Sequence, residues 1–300
     1  MEYRPIEKSE LPKAKALWKQ AFGDSDAYID FNFERNIDLN DSLGVFDRGQ
    51  LVSMLYMLKK MLACPEKKKN IDVYFIAGVA TDKTYQHQGM ASAIMKKAHQ
   101  YLFNKGIPVV YLYPFDHGFY KKLGYHTVSW MKKVTLKKKC VHKADERVSL
   151  KDYNKKSLPD PNVLLKIYRA FAETKRSYFI RNAQDFRNII ETLAVDGGRV
   201  TVVYQGDEPV GYILYYLNKK KITCTEAVFL DQETAQAAIN MMSNNYSGII
   251  FVDDSFELEN AETVDYTMMQ IVDFEVAKRI CGVLTVEDIL GTEVMILEQY

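Results

Sequence analysis

Gly78-Val79-Ala80-Thr81-Asp82-Lys83-Thr84-Tyr85-Gln86-His87-Gln88-Gly89-Met90-Ala91 is the stretch on which the fold turns. It starts at the end of an apolar run over 73–81, crosses a polar loop, and reaches a glycine followed by two small or flexible residues. Downstream, Met90, Ile94, Ala98 and Tyr101 recur on one side of a helix, Lys105-Gly106 closes that helix, and 107–113 is a short, nearly all-apolar strand. Strand, loop, helix and strand in this order make a βαβ unit, so the fold class is α/β with a mixed sheet that contains at least one parallel pair. The backbone N–H groups at the helix start are unpaired and point outward, so the loop can wrap an anion. Gly89 has no Cβ to hold a phosphate off the backbone, and Ala91 keeps the next turn close. An ordinary strand-to-helix turn explains the same residues when they are taken alone. The loop is neither the Gly-x-x-x-x-Gly-Lys-Ser/Thr pattern nor a GxGxxG fingerprint.

The second informative stretch is Leu112-Tyr113-Pro114-Phe115-Asp116-His117-Gly118-Phe119-Tyr120-Lys121-Lys122-Leu123-Gly124-Tyr125, an aromatic-rich helical turn at the carboxyl end of the unit's second strand. Upstream, apolar residues at 11, 14, 17, 18, 21 and 22 have helical spacing, and Gly23-Asp24 ends that helix. Apolar runs at 43–46 and 51–58 flank Asp47-Arg48-Gly49-Gln50 and predict a hairpin, with a solvated loop at 66–70 before the strand over 73–81. From Lys132 to Lys143 the lysines alternate with Val134 and Leu136, which predicts a last strand with a solvated face running into a linker rather than a nucleic-acid patch.

The second half begins near Asp145. It offers helices over 162–174, 183–195 and 232–242, the turn Asp196-Gly197-Gly198, and strands over 200–204, 210–217, 221–230 and 248–252. This order roughly repeats that of the first half, which is compatible with a diverged duplication, although no motif recurs at a fixed period.

Gln-x-x-Gly-x-Ala at 86–91, then Phe-Tyr-x-x-x-Gly-Tyr at 119–125, with a helix around Trp18-Lys19-Gln20-Ala21-Phe22 and a hairpin before them, resembles the GNAT superfamily of N-acetyltransferases. In the second half, 168–172, Phe179-Ile180-Arg181, Pro209-Val210-Gly211-Tyr212-Ile213-Leu214-Tyr215, Thr225-Glu226 and 268–273 resemble the second, degenerate acetyltransferase-like domain of the Eis (enhanced intracellular survival) family. The resemblance implies a catalytic GNAT domain over 1–143 and a second degenerate GNAT-like domain over 144–276, which lacks the loop and is expected to bind no coenzyme. It leaves a short tail over 277–300 where Eis-type proteins continue into a sterol-carrier-like third domain.

The resemblance also implies acetyl-coenzyme A as cosubstrate. Its pyrophosphate falls to the amides of His87, Gln88, Gly89, Met90, Ala91 and Ser92. Its pantetheine arm adds like a short strand along Val79, Ala80 and Thr81, where a backbone N–H polarises the thioester carbonyl. Phe115 and Asp116 fall where relatives touch the coenzyme. Lys83, Lys96 and Lys97 suit a ribose phosphate, and equally a solvated helix face. Tyr120 matches the family's tyrosine proton donor to the leaving thiolate, and its place in the motif is what separates it from an ordinary core aromatic. An acceptor amine of pKa near 10 is unprotonated only about one part in a thousand at pH 7, so a base is needed. In Eis-type enzymes that base is the terminal carboxylate, a role that transfers to Tyr300. Asp116, His117 and a water chain are the alternatives, and a C-terminal stretch that merely seals the second domain is the plainer reading of Met295-Ile296-Leu297-Glu298-Gln299-Tyr300.

Composition narrows the class. The 300 residues are 47% hydrophobic and 26% charged, an ordinary globular balance that excludes fibrous, collagen-like and disordered chains. The net charge of +1 is divided unequally: residues 1–144 hold 24 Lys+Arg against 14 Asp+Glu, and residues 145–300 hold 16 against 25. Either the halves attract each other, or the acidic half faces a cationic acceptor. The uncharged window 234–252 is broken by Gln236, Asn240 and Ser243-Asn244-Asn245, so it is no membrane span, and Met1-Glu2-Tyr3-Arg4-Pro5 lacks the apolar core of a signal peptide. Cys64, Cys140, Cys224 and Cys281 form no CxxC pair and no zinc spacing. The expectation is a cytoplasmic N-acetyltransferase for a small-molecule or peptide amine, with no metal and neither nucleic acid nor membrane as partner. A homo-oligomer is left open, because relatives with such a second domain often assemble. The alternative is a coenzyme-A-binding sensor that kept the loop and lost its acceptor pocket.

Overall fold

The computed structural model describes residues 1–65, 68–137 and 147–281. The first half runs β1 (Glu2–Arg4), α1 (Leu11–Phe22), α2 (Asp26–Arg35), β2 (Ser42–Asp47), β3 (Gln50–Cys64), β4 (Lys69–Thr81), α3 (Met90–Asn104), β5 (Val109–Leu112), α4 (His117–Lys121), β6 (His126–Thr127) and β7 (Trp130–Leu136). The second runs β8 (Ser149–Tyr153), α5 (Pro161–Ala172), β9 (Tyr178–Phe179), α6 (Ala183–Val195), β10 (Arg199–Gln205), β11 (Glu208–Asn218), β12 (Lys221–Phe229), α7 (Gln232–Asn245), β13 (Ser247–Asp253), β14 (Ala261–Asp265), β15 (Met268–Ile271) and α8 (Phe274–Cys281). No helix among the described residues is long and apolar enough to cross a membrane.

The expected hairpin forms with Arg48 and Gly49 as its two-residue loop, both at positive φ (48° and 77°), which is the backbone twist that joins adjacent antiparallel strands without splaying them. Pairing of β3 with β4 reaches as far as Cys64 and Lys69, so residues 69 and 70, expected in a solvated loop, are already strand. The expected βαβ unit is β4, α3 and β5, and β4 and β5 pair in parallel. All four residues of β5 are buried, Val109 and Tyr111 on the face covered by α1 and α2, Val110 and Leu112 on the face covered by α3. A strand buried on both faces reads as a continuous apolar run, which is how 107–113 stood out. The second half repeats the pattern: β10, β11 and β12 are antiparallel, α7 crosses over, and β13 returns parallel to β12.

The fold is mixed α/β with two mixed sheets, in the orders β1-β2-β3-β4-β5-β15-β6 and β14-β7-β13-β12-β11-β10-β8, with β9 added to β3. The halves exchange a strand. β15, from the second half, lies antiparallel between β5 and β6 (Met268 opposite Leu112 and Thr127). β7, from the first, lies between β13 and β14 (Val134 opposite Ile250 and Ala261). The lysine-bearing strand expected to end the first half is therefore part of the second sheet, with Val134 and Leu136 buried there. The expected division at 143/144 falls in a stretch outside the described residues, and sheet membership crosses it in both directions. Phe179 strengthens the joint, because its ring lies edge-on to Tyr111 (5.5 Å) and Phe75 (6.5 Å) inside the first half's core.

Candidate active site

Parallel pairing of β4 with β5 covers only Tyr74–Val110, Phe75–Tyr111 and Ile76–Leu112. Beyond it β5 leaves the sheet at Tyr113-Pro114, while β4 continues to Thr81. A bulge lies in that extension. Met54 faces Ala80 and Tyr56 faces Ala77, so Gly78 and Val79 together oppose Leu55. Gly78 sits at φ 62°, and a Cβ there would come 2.5 Å from the Trp18 ring and 2.9 Å from the Tyr56 ring. The bare backbone is thus pressed onto α1. The Ala80 carbonyl faces β3, where the Ser53 hydroxyl donates to it at 3.0 Å. Backbone groups alternate sides along a strand, so those of Val79 and Thr81 face the gap left by β5. The Thr81 carbonyl accepts from the Gln86 side-chain amide at 3.2 Å.

The loop that follows is braced from within. Asp82 accepts from the Thr84 hydroxyl (2.6 Å) and amide (2.9 Å), which hold its carboxyl below the usual range. Gln88 donates to the Thr84 carbonyl at 2.9 Å, and the Tyr85 hydroxyl donates to Asp47 at 2.7 Å. The side chain of Gln88 therefore braces the loop and leaves its backbone amide, the group expected at the coenzyme, uninvolved in that bond. His87 (φ 60°) and Gly89 (φ 77°) turn the chain so that α3 begins with no side-chain cap. Ser25, Asp116, Asp160, Asn182 and Asp231 cap α2, α4, α5, α6 and α7. At Gly89 a Cβ would meet nothing within 4 Å, so open space fronts the free amides of Gly89, Met90, Ala91 and Ser92. This cradle fits a coenzyme pyrophosphate. In the second βαβ unit the Asp231 carboxylate occupies the corresponding helix start, accepting from the Thr234 amide at 2.7 Å. Lys83, in the loop, and Lys96, about two turns into α3, are exposed, and the Lys97 ammonium lies 5.7 Å from the centre of the Tyr3 ring.

Tyr120, on α4, is buried in the hydrophobic cluster against which Val79, Tyr85 and Met90 also pack. Its ring is held by Phe115 (5.5 Å), Phe119 (5.0 Å) and Tyr125 (5.7 Å), all at steep angles. Burial, with a smaller contribution from Asp116, pushes the phenol well above its ordinary pKa, so it keeps its proton. Among the described residues its hydroxyl has no hydrogen-bond partner. Phe115 is 74% exposed and covers one side of that ring. Asp116 accepts from the amides of Gly118 (2.7 Å) and Phe119 (3.2 Å) as the cap of α4. The Nε2 of half-buried His117 is enclosed with no partner among the described residues. Tyr300 lies outside the described residues.

On the opposite face of β4 stands an aromatic wall that sequence reasoning did not assemble. Trp18 packs against Phe33 (5.7 Å) and Tyr56 (5.9 Å) and donates its indole N–H to Asp24 at 2.7 Å. At the exchanged strand Tyr113 meets Tyr266 at 5.0 Å. In the sequence Trp18 stands out through its helix pattern and its place in the GNAT resemblance, and no local signal marks Tyr266. Among the described residues no group of three His, Cys, Asp or Glu side chains is arranged to hold a metal ion.

Residues 2–128 match the family model described as "Acetyltransferase (GNAT) domain". No curated protein matches the sequence. Among solved structures, a probable N-acyltransferase of unknown function from Enterococcus faecalis V583 superposes with a TM-score of 0.70 at 18% identity, over 92% of this chain and 74% of that one. A GCN5-related N-acetyltransferase from Anabaena variabilis superposes with a TM-score of 0.71 at 16% identity, over 92% and 74%. Eis1 from Mycobacterium abscessus gives 0.64 at 17% identity, over 93% and 76%. At these identities the likeness is one of fold, and it spans both halves of the chain.

Proposed function

We propose that the protein is an N-acetyltransferase that moves the acetyl group of acetyl-coenzyme A to a primary amine by direct attack. The observation that carries this reading is the convergence on one hydrophobic cluster of three features near the end of β4: a strand edge that β5 no longer covers, an uncapped helix start at Gly89, and a buried, protonated Tyr120. Acetyl-coenzyme A would supply the activated thioester. The amides of residues 87–92 would bind its pyrophosphate, and the edge at Val79 and Thr81 would pair with the amide-bearing pantetheine arm. An N–H of that edge would stabilise the negative charge that grows on the carbonyl oxygen. As the new N–C bond forms and the C–S bond breaks, the Tyr120 hydroxyl would give its proton to the departing thiolate, and the proton shed by the attacking nitrogen would pass through a base or water chain to restore the phenol. The acidic second half favours a cationic amine as the acceptor.

The test is calorimetric binding of acetyl-coenzyme A together with a thiol-release assay against polyamines, aminoglycosides and lysine peptides. Tight binding, with release on one amine class that is lost in Tyr120→Phe, supports the reading. Binding without release on any amine points instead to a coenzyme-A sensor. No binding overturns both.

A further inference from the structure

We infer that His99 is a positioning residue for the proposed acetyl transfer, acting through Tyr125 to hold Tyr120 in line with the leaving sulfur. The inference rests on the function proposed above and adds a residue to which the motif assigns no role.

The argument begins with what fixes the Tyr120 ring. Three aromatic rings surround it, and they differ in how firmly they are held. Phe115 is 74% exposed and Phe119 is half-buried, so neither is a rigid wall. Tyr125 is 1% exposed and lies 5.7 Å from Tyr120 at an interplanar angle of 72°. Its amide also donates to the Tyr120 carbonyl at 3.1 Å, so ring and backbone are both registered to Tyr120. The firmness of this wall depends on what holds the far end of the Tyr125 ring.

That end is held by His99. The Tyr125 oxygen lies 2.8 Å from His99 Nε2, and the two rings lie 5.4 Å apart. Burial raises the Tyr125 phenol well above its usual pKa and pushes the His99 imidazole down to about 4, so both groups are neutral at neutral pH. A buried, protonated phenol has one hydrogen to place, and the neutral imidazole takes it in the tautomer that carries its own hydrogen on Nδ1. His99 lies on α3, about 15 Å along the helix from Gly89 at 1.5 Å per residue. One rigid helix therefore carries the phosphate cradle at its start and anchors the wall behind the proton donor farther along. A misplacement of about 1 Å in a reacting group costs on the order of a hundredfold in rate, so a fixed distance between coenzyme and donor has catalytic value.

The experiment uses the full chain and steady-state thiol release with the best amine from the panel. His99→Phe is expected to lower kcat by roughly tenfold or more while the KM for acetyl-coenzyme A stays within about twofold. His99→Gln, whose terminal amide can take the same phenolic hydrogen, restores most of the rate. Tyr125→Phe keeps the ring and removes only the hydrogen bond, so it reproduces the His99→Phe loss if that variant folds poorly. In a Tyr120→Phe background, His99→Phe produces no further loss, because nothing is left to position. Unchanged kcat in both His99→Phe and Tyr125→Phe, alongside an impaired Tyr120→Phe, overturns the inference and leaves the proposed function standing. A silent Tyr120→Phe overturns the proposed function, and the inference falls with it. Equal and independent losses in the Tyr120→Phe background assign His99 a purely structural role and also overturn the inference.

Discussion

Trp18 and Gly78 are in a contact that only a glycine allows: at φ 62° a Cβ on residue 78 would lie 2.5 Å from the indole ring. The contact joins α1 to the bulge at which β4 runs beyond its pairing with β5, so it bears on the gap where the acyl group would lie.

Gly78→Ala is therefore expected to cost about 2–4 kcal/mol, from left-handed backbone strain and overpacking together, and to weaken acetyl-coenzyme A binding. Urea unfolding and calorimetry measure the two losses. Adding Trp18→Leu opens the space and should return part of the stability. The double-mutant cycle then shows a coupling above about 0.5 kcal/mol. Additive losses would mean that the ring and the bulge are independent.

Gly89 gives the opposite balance. It too has positive φ (77°), but a Cβ there meets nothing within 4 Å, so Gly89→Ala is expected to cost only about 1 kcal/mol in stability. The added methyl projects into the cradle and should raise the Kd for acetyl-coenzyme A by roughly tenfold or more, because it keeps the pyrophosphate from the amides. Calorimetry on the folded variant separates this outcome from general destabilisation.

How far the sequence announced these features depends on how local their causes are. The helices α1, α3 and α6 and the turn at Arg48-Gly49 were legible because their apolar spacing and turn chemistry lie within a few residues. The helix α2 was not, because its inward phase of Ile29, Asn32 and Phe33 places an amide where the pattern wants a hydrophobe; Asn32 is 2% exposed and accepts from Asn36 at 2.9 Å. The N-cap Ser25 was the available signal. The exchange of β7 and β15 left no trace, since a four-residue strand such as 268–271 has no measurable period and its neighbours are set by tertiary packing. The motif pointed to Tyr120, but it could not show that the Asp116 carboxylate caps α4 or that His99 reaches Tyr125.

Tyr120→Phe should leave the fold alone. The hydroxyl it removes has no partner among the described residues, so the midpoint of urea unfolding should shift by less than about 0.5 kcal/mol equivalent. Thiol release, by contrast, should fall by roughly 10²–10⁴-fold with acetyl-coenzyme A binding intact. A large stability loss would make Tyr120 a core residue and remove the case for it as donor.

The second half has its own fixed point. Arg181 Nη1 lies 2.9 Å from both carboxylate oxygens of Glu226, their side chains are 4% and 5% exposed, and the Tyr212 hydroxyl donates to the same carboxylate. Glu226→Leu removes the carboxylate that the buried guanidinium meets and is expected to cost about 3–5 kcal/mol. Replacing both residues by hydrophobes of similar volume should cost much less, because no charge then has to be buried. Thermal unfolding of the single and double variants distinguishes a charge effect from lost packing.

His99 predicts how the whole molecule responds to acid. Burial moves the imidazole from the ordinary 6.5 down to about 4. Between those values the unfolded chain binds a proton that the folded chain does not, so stability rises with pH across the interval and falls as the pH is lowered. The contribution is complete above about pH 6.5, declines as pH drops toward 4, and amounts to about 3 kcal/mol over the window. His99→Gln cannot titrate, so its stability between pH 6.5 and 4 should fall less steeply than that of the parent, while the two curves run parallel above pH 7. Urea titrations at half-unit pH intervals measure the slopes directly. Identical slopes would mean that the buried imidazole takes up its proton at the same pH as in the unfolded chain, and that the hydrogen bond from Tyr125 is given up before the fold is.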